Sequence, residues 1–326
     1  MKKKWMKSLR MVLVALALAL LGLAGCSTEE PKEEKGGASG TVETVKDQFP
    51  ITFKDESGQK VTIKEKPQKI VSVLPSTTET LFALGLDKEI TGVSDFDNYP
   101  KQAAEKQKVG SQDINLEAVL SLAPDVAFIS EYHAKSHADM VKQMQDAGIA
   151  IVVNKTSQNS FSDTYKSIEM IAKATGTEKQ AAAIIDQMKN KVEAIKEKAK
   201  EVKEKKLVWT ETSPQPDIYT AGKHTFVDEM LTIIGAENLA ASQDGWVKMN
   251  EEEVVKLNPD VIITTYGYYV PDAKKQVLSR QGWQEVQAVK DKQVYDVNSD
   301  LVSRPGPRLA DGLEALAKAV YPDVYQ

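Results

Sequence analysis

Residues 114–126 read INLEAVLSLAPDV, and residues 249–261 read MNEEEVVKLNPDV. The two stretches share an asparagine, a glutamate, a valine, a leucine and a closing Pro-Asp-Val at matching positions. The offset is constant at 135 residues, as from Glu117 to Glu252. Solenoid repeats have much shorter periods, so this duplication predicts two similar lobes, and two-lobed proteins commonly bind a ligand in the cleft between them.

Each stretch has the pattern of a short helix followed by a strand. Asn115 and Asn250 are good N-cap residues, which places Glu117 and Glu252 in a first helical turn. There the helix dipole stabilises a carboxylate by about 0.3–1 kcal/mol. This local role accounts for each glutamate, but it does not explain why the two match while their neighbours differ.

The first 25 residues have the features of a signal peptide. Lysines and an arginine come first, an apolar run follows over 11–24, and LAGC at 23–26 has the pattern of a lipobox. Cys26 is the only cysteine of the chain, so it forms no intramolecular disulfide. We expect Cys26 to carry a diacylglyceryl lipid that holds the protein at the outer face of the cell membrane; an incidental cysteine is the alternative.

Composition divides the rest of the chain. Residues 26–48 are rich in Glu, Lys, Gly, Ser and Thr, which predicts a lipidated flexible tether. In 49–175 and 206–326, strand and helix patterns alternate, which predicts two mainly parallel-sheet α/β lobes. Residues 176–205 contain many strong helix formers and predict a single long linking helix, which would restrict lobe closure to small tilts.

The chain resembles the helical-backbone (class III) substrate-binding proteins of ABC importers that serve cobalamin, ferric siderophores and haem. The resemblance covers about 69–322. Its order of short motifs carries it: IVSVLPSTTE at 70–79, GVSD at 92–95, NLE at 115–117, PD at 124–125, GK at 222–223, PD at 259–260 and RPGPR at 304–308. It implies two α/β lobes joined by one helix, a ligand cleft between them, no intrinsic cofactor and no catalysis.

Within that family the chain is most similar to the cobalamin-binding members. Three of its residues match positions that touch the corrin in those proteins, namely Tyr99, Trp246 and Asp300. Ser111 and Ser130 stand where those proteins have aromatic residues in the first lobe. The resemblance therefore implies a corrinoid ligand, with a ferric siderophore or haem as the alternative.

Further candidates come from predicted loops. Tyr219 and Tyr266 fall at strand ends, where ligands of parallel sheets bind, and flat rings give contact area to a large chelate. Ser76 lies in a loop that resembles a cleft loop of the cobalamin-binding members. Arg304 flanks a rigid Pro-Gly-Pro bend before the last helix, so its guanidinium needs an acceptor. That acceptor is either a protein carboxylate, such as Asp300 or Asp311, or an anionic ligand.

Other classes of function find little support. His133 and His137 are four residues apart, but no third ligand follows at a recognisable spacing, so we predict no metal site. The chain contains no nucleophile–base arrangement or phosphate-binding loop, and we predict no catalytic residues. The net charge of −5 and the lack of a basic stripe argue against nucleic acid.

In the resembling family, glutamates at these two positions stand on the lobe tops and enter basic pockets of the permease. Glu117 and Glu252 are therefore predicted to dock on an ABC permease dimer that works with a cytoplasmic ATPase. We predict an extracytoplasmic, monomeric lipoprotein that captures cobalamin or a related corrinoid and delivers it to that permease. The alternatives are a siderophore or haem binder, an enzyme on a duplicated α/β scaffold, or an adhesin.

Overall fold

The computed structural model describes residues 48–155 and 160–325 of the chain. The predicted signal peptide, Cys26 and nearly all of the predicted tether lie outside these residues. The strands are β1 Ile51–Lys54, β2 Lys60–Ile63, β3 Ile70–Ser72, β4 Ile90–Val93, β5 Gln107–Lys108, β6 Val126–Ser130, β7 Ala150–Asn154, β8 Leu207–Glu211, β9 Tyr219–Ala221, β10 Glu237–Asn238, β11 Trp246–Lys248, β12 Val261–Thr264 and β13 Val294–Asp296.

Helices alternate with most of these strands. They are α1 Pro75–Ala83, α2 Lys101–Ala104, α3 Leu116–Leu122, α4 Glu131–Ser136, α5 Ala138–Asp146, α6 Phe161–Thr175, α7 Glu178–Lys198, α8 Phe226–Ile233, α9 Glu251–Leu257, α10 Ala273–Leu278, α11 Gln287–Lys290, α12 Ser299–Ser303 and α13 Leu309–Val320.

Two parallel sheets form the framework. The N-terminal sheet has the order β5-β4-β3-β6-β7, and the C-terminal sheet has the order β10-β8-β12-β13. All neighbours within these sheets are parallel. Two antiparallel ribbons accompany them, β1 with β2 and β9 with β11. The β1–β2 ribbon is a hairpin at the start of the globular part, and the predicted mainly parallel α/β class is confirmed.

Successive residues of the central strands enter different cores, because side chains alternate between the faces of a sheet. Ile70 and Val208 belong to one large cluster, whereas Val71 and Trp209 enter smaller clusters on the outer faces of their sheets. The large cluster draws on both sheets and on α6, α7 and α13. The two sheets are separate, as predicted, but the core between them is continuous, and the described residues form one unit.

Helix α7 is the linking helix, and it is shorter than the predicted 176–205. It spans 21 residues, about 30 Å at 1.5 Å per residue, and a 3₁₀ turn follows at Ala199–Glu201. Ile195 is its last buried residue, and beyond it Ala199 and Val202 are only partly buried against the core. Within the described ranges, no helix is both long enough and apolar enough to cross a membrane.

The duplicated stretches have the same local structure. Asn115 accepts a hydrogen bond from the amide of Ala118, and Asn250 accepts one from the amide of Glu252, so both predicted N-caps are confirmed. Each helix ends in a left-handed residue before the shared proline. The aspartate after that proline accepts from the amide at the start of a neighbouring strand: Asp125 from Lys69 and Asp260 from Leu207. Most of the repeat is therefore explained by folding.

Candidate ligand-binding cleft

Each sheet has a switch point, which is a pair of adjacent central strands from which the chain continues toward opposite edges of the sheet. In the N-terminal sheet it lies between β3 and β6, and in the C-terminal sheet between β8 and β12. Ligands of open parallel sheets bind outside the carboxyl ends of the strands at such points. A larger cavity of about 780 Å³ lies beside β7, the β1–β2 hairpin and α4.

The C-terminal switch point opens into a cavity of about 290 Å³, which we call the aromatic cavity. Its floor includes Thr212 and Thr265, the residues that follow β8 and β12. Its walls are formed by Trp246, Tyr268, Tyr269 and Asp300, among others. The three rings are between 45% and 74% exposed, an unusual exposure for such large apolar groups. Of the predicted ligand contacts, the structure brings Trp246 and Asp300 together here.

Tyr266 is placed elsewhere. Its side chain is buried, and its hydroxyl donates a 2.8 Å hydrogen bond to Glu211. The same buried carboxylate accepts two hydrogen bonds from Arg280 and one from Trp209, so it is fully satisfied. Burial and the adjacent Glu211 carboxylate raise the pKa of Tyr266 well above its usual range. Tyr268 and Tyr269, rather than Tyr266, therefore line the aromatic cavity.

Tyr219 lies on the ribbon that carries Trp246. In this antiparallel pair Trp246 is opposite Ala221 and Lys248 is opposite Tyr219, so these four side chains share one face. Tyr219 is 45% exposed but does not line the aromatic cavity. It stands beside Trp246 on the ribbon face, outside the cavity.

Tyr99 lies in a different cavity from Trp246. Its ring packs under the guanidinium of Arg308, which lies 3.7 Å from the ring centre. It lines a groove of about 620 Å³ together with Ile184 and Met188 of the linking helix. The predicted contacts Tyr99 and Trp246 thus do not meet in one cavity of this structure.

Arg304 has a protein acceptor. Its Nη1 donates to Oε1 of Glu79 and to Oδ1 of Asn98, each at 2.8 Å, and its Nη2 lies 2.9 Å from Asp300 Oδ1. Asn98 Nδ2 in turn donates to the other oxygen of Asp300. The sequence named Asp300 as one possible acceptor, but it gave no sign of Glu79, because that residue lies 225 positions away.

Ser76 lies at the N-terminal switch point, in the first turn of α1. Its backbone oxygen accepts from the Thr80 hydroxyl, and its own hydroxyl has no partner among the described residues. The N-cap position of α1 is Leu74, and no described side chain caps the helix. Ser76 is half-buried and open to solvent beside the end of β3.

Two exposed aromatic residues of the N-terminal half were not predicted as ligand contacts from the sequence. Phe96 is 64% exposed and follows β4, and Tyr132 is 48% exposed and follows β6. These two strands flank β3, so both rings stand at the carboxyl edge of the N-terminal sheet. Asn98, two residues after Phe96, bonds to Asp300 and brings this loop against the aromatic cavity. In the sequence, such residues can be recognised as large aromatic residues placed just after a buried strand.

Ser111 and Ser130 are joined through a histidine. Nδ1 of His133 lies 2.7 Å from the Ser130 hydroxyl, and Nε2 lies 2.7 Å from the Ser111 carbonyl oxygen. Burial lowers the pKa of His133. Both ring nitrogens are therefore used within the protein. Across 48–155 and 160–325, no three His, Cys, Asp or Glu side chains form a group that could hold a metal ion.

Glu117 and Glu252 are exposed in the first turns of α3 and α9. Neither side chain forms an ion pair or hydrogen bond with any residue that the structure describes. By contrast, the neighbouring Glu251 accepts two hydrogen bonds from Gln215. The matched glutamates are thus free carboxylates on the surface, and docking on a permease stays a prediction.

Comparison with known proteins identifies the class. A family model described as "Periplasmic binding protein" matches residues 70–301. The chain is 47% identical, over 98% of its length and 100% of the relative, to the uncharacterized ABC transporter substrate-binding lipoprotein YvrC of Bacillus subtilis. A cobalamin-binding protein of Halobacterium salinarum is 26% identical, with 95% of this chain and 84% of that protein covered.

A solved structure of a possible iron-binding (periplasmic solute-binding) protein from Staphylococcus epidermidis has the same fold, with a TM-score of 0.71 and 35% identity. The match covers 79% of this chain and 100% of that one. Three observations indicate the same class of protein: the order of motifs in the sequence, the two parallel sheets joined by a linking helix, and these similarities. The chain belongs to the periplasmic binding protein family and is a substrate-binding protein of an ABC transporter.

Proposed function

We propose that this protein is an extracytoplasmic lipoprotein that captures cobalamin or a related corrinoid and delivers it to a membrane permease. The observation that carries the proposal is the aromatic cavity at the C-terminal switch point, where Trp246, Tyr268 and Tyr269 expose their rings around the single carboxylate of Asp300. Phe96 and Tyr132 offer further ring surface at the edge of the other sheet. Rings on both sheets suit a large, rigid, mostly apolar ligand.

The relatives support this assignment. The Halobacterium salinarum relative is named for cobalamin binding, and the Bacillus subtilis relative is named a lipoprotein, in agreement with a lipid on Cys26. A ferric siderophore or haem is the second candidate, because the Staphylococcus epidermidis neighbour is named a possible iron-binding protein. The linking helix, packed into the core shared by the two sheets, favours a cleft that closes by small tilts.

The ligand is tested by calorimetry on the mature chain with cyanocobalamin, a ferric siderophore and haem. We expect cyanocobalamin to bind, and to raise the unfolding free energy by about 2.7 kcal/mol when it is present at about 100 times its dissociation constant. Trp246→Ala should weaken binding by about 2 kcal/mol, as for a central aromatic contact. Leu257→Ala removes an apolar group of similar exposure, 42%, outside the cavity and should leave binding intact. A response to the siderophore or haem without one to cobalamin would reverse the assignment.

We further propose that Glu117 and Glu252 dock on cationic pockets of the permease, one glutamate on each half. Their exposure and their lack of partners among the described residues support this, and carboxylate pairing with arginine is strong and directional. The double variant Glu117→Lys, Glu252→Lys should abolish stimulation of the transporter ATPase while ligand affinity stays the same. Glu253→Lys is the matched control, since Glu253 is exposed in the same turn as Glu252. Stimulation that survives the double reversal contradicts this docking role.

A further inference from the structure

Both arginines of the RPGPR bend donate to one carboxylate of the other half of the chain. Arg308 donates from Nε to Glu79 Oε2 at 2.7 Å and from Nη2 to Oε1 at 2.6 Å. Arg304 donates to the same Oε1 at 2.8 Å. The Glu79 side chain is 3% exposed, so it accepts these three bonds in a site that is nearly closed to water. Charge-assisted hydrogen bonds of this kind are stronger than those between neutral groups.

No free cation remains in this network. Arg304 also donates from Nη1 to Asn98 and pairs through Nη2 with Asp300, and Arg308 covers the ring of Tyr99. The two guanidinium groups are balanced by the carboxylates of Glu79 and Asp300. Among the described residues that line the aromatic cavity, Asp300 is the only charged one. An anionic ligand would therefore meet a carboxylate there and no available positive charge.

We propose that Glu79 is a specificity-determining residue, which acts as an internal counter-ion for the two RPGPR arginines. It occupies the guanidinium groups that would otherwise recognise carboxylates of a ligand, and so restricts the cleft to ligands without essential anionic groups. The inference rests on the proposed function, because it concerns the same cleft. Glu79 does not line the aromatic cavity; it acts there through Arg304, which is bonded to Asp300 at the cavity wall.

A competing anion would have to displace Glu79 from both arginines. Removing a buried carboxylate from its partners leaves it unpaired in a poorly solvated site, which is unfavourable. A purely structural ion pair would also stabilise the fold. Its loss, however, would lower the binding affinity for every ligand alike. The counter-ion role predicts instead a gain of affinity that is confined to anionic ligands.

The test compares haem, whose two propionates are ionised, with haem dimethyl ester, in which both are neutral methyl esters, on the mature chain. We expect the wild type to bind both within about threefold, and a folded Glu79→Gln variant to favour haem by about tenfold. Glu105→Gln is the matched control, since it removes one exposed acid from the same half and should leave the ratio unchanged. A folded Glu79→Gln variant whose ratio equals that of the wild type, or that binds neither probe, overturns the proposal.

A second variant keeps the proposal testable if Glu79→Gln does not fold. The double variant Arg304→Gln, Asp300→Asn preserves the Glu79–Arg308 pair and the net charge, and it should leave the ratio of haem affinity to haem dimethyl ester affinity within about twofold of the wild type. A tenfold fall of that ratio would mean that Arg304 binds ligand carboxylates, which overturns the counter-ion role. Cyanocobalamin binding is measured separately. A shifted haem ratio in a chain that binds no cobalamin supports the counter-ion role and contradicts the corrinoid assignment.

Discussion

Two buried acids show how differently single residues are satisfied in this fold. Glu211 receives a bidentate guanidinium from Arg280, with Nη1 at 2.6 Å and Nη2 at 3.0 Å. Asp97 has no such partner; one of its oxygens accepts from the backbone amide and the hydroxyl of Ser94, at 2.7 and 2.6 Å. Burial raises the pKa of the Asp97 carboxyl, despite these hydrogen bonds. Its ionised form is therefore disfavoured in the folded protein.

The sign of the resulting pH dependence follows. Because the folded-state pKa of Asp97 is above the unfolded value of 3.8, the folded state binds this proton more tightly. The ionisation penalty is absent below both pKa values, develops as the pH rises from the unfolded-state pKa to the folded-state pKa, and is fully present above the folded-state pKa. Asp97→Asn removes it while keeping an acceptor for Ser94. The difference in unfolding free energy, variant minus wild type, should thus be larger at pH 7 than near pH 4.

Urea unfolding at the two pH values measures this difference. Asp95→Asn, two residues before Asp97 and exposed, is the control for losing a charge in this loop. A difference for Asp97→Asn that shrinks on going from pH 4 to pH 7 would contradict the assigned sign. The ionisation of Asp97 also concerns the cleft, because the same loop carries Phe96 and Asn98.

At the scale of elements, the sequence predicts what depends on near neighbours. The caps at Asn115 and Asn250 were predictable because a cap bonds only two or three residues along the chain. The hydroxyl residues after Pro75 do not cap the helix start, because they lie inside α1. Thr80 donates to the Ser76 carbonyl, four residues earlier, instead of holding the helix start.

The cleft was only partly predictable for the same reason. Trp246 and Asp300 could be placed by motif, and the carboxylate partner of Arg304 could be anticipated as a class of group. Its identity could not, since Glu79 reaches it only through tertiary packing. Likewise, no local pattern distinguishes the buried Tyr266 from the exposed Tyr268 two residues later. That difference depends on Glu211, which lies 55 positions before Tyr266.

At the scale of the whole molecule, the continuous core has a consequence for cooperativity. The linking helix contributes Ile185 and Met188, each 3% exposed, to the cluster that also contains Ile70 of one sheet and Val208 of the other. Two lobes with separate cores could unfold one after the other. A shared core ties both sheets to the same helix, so the loss of packing on that helix weakens both together.

Ile185→Ala tests this coupling. The variant should lose about 2–5 kcal/mol of unfolding free energy, as expected for a large buried side chain cut to alanine. Ile184→Ala, which removes the same atoms from a half-exposed neighbour, should lose less.

Two spectroscopic signals measure the coupling. In the described residues the tryptophans, Trp209, Trp246 and Trp283, all lie in the C-terminal half, so their fluorescence reports on that half while far-ultraviolet circular dichroism reports on both. The two signals should shift together in one transition. If the fluorescence midpoint stayed in place while the dichroism curve split in two, the sheets would be independent folding units despite their common core.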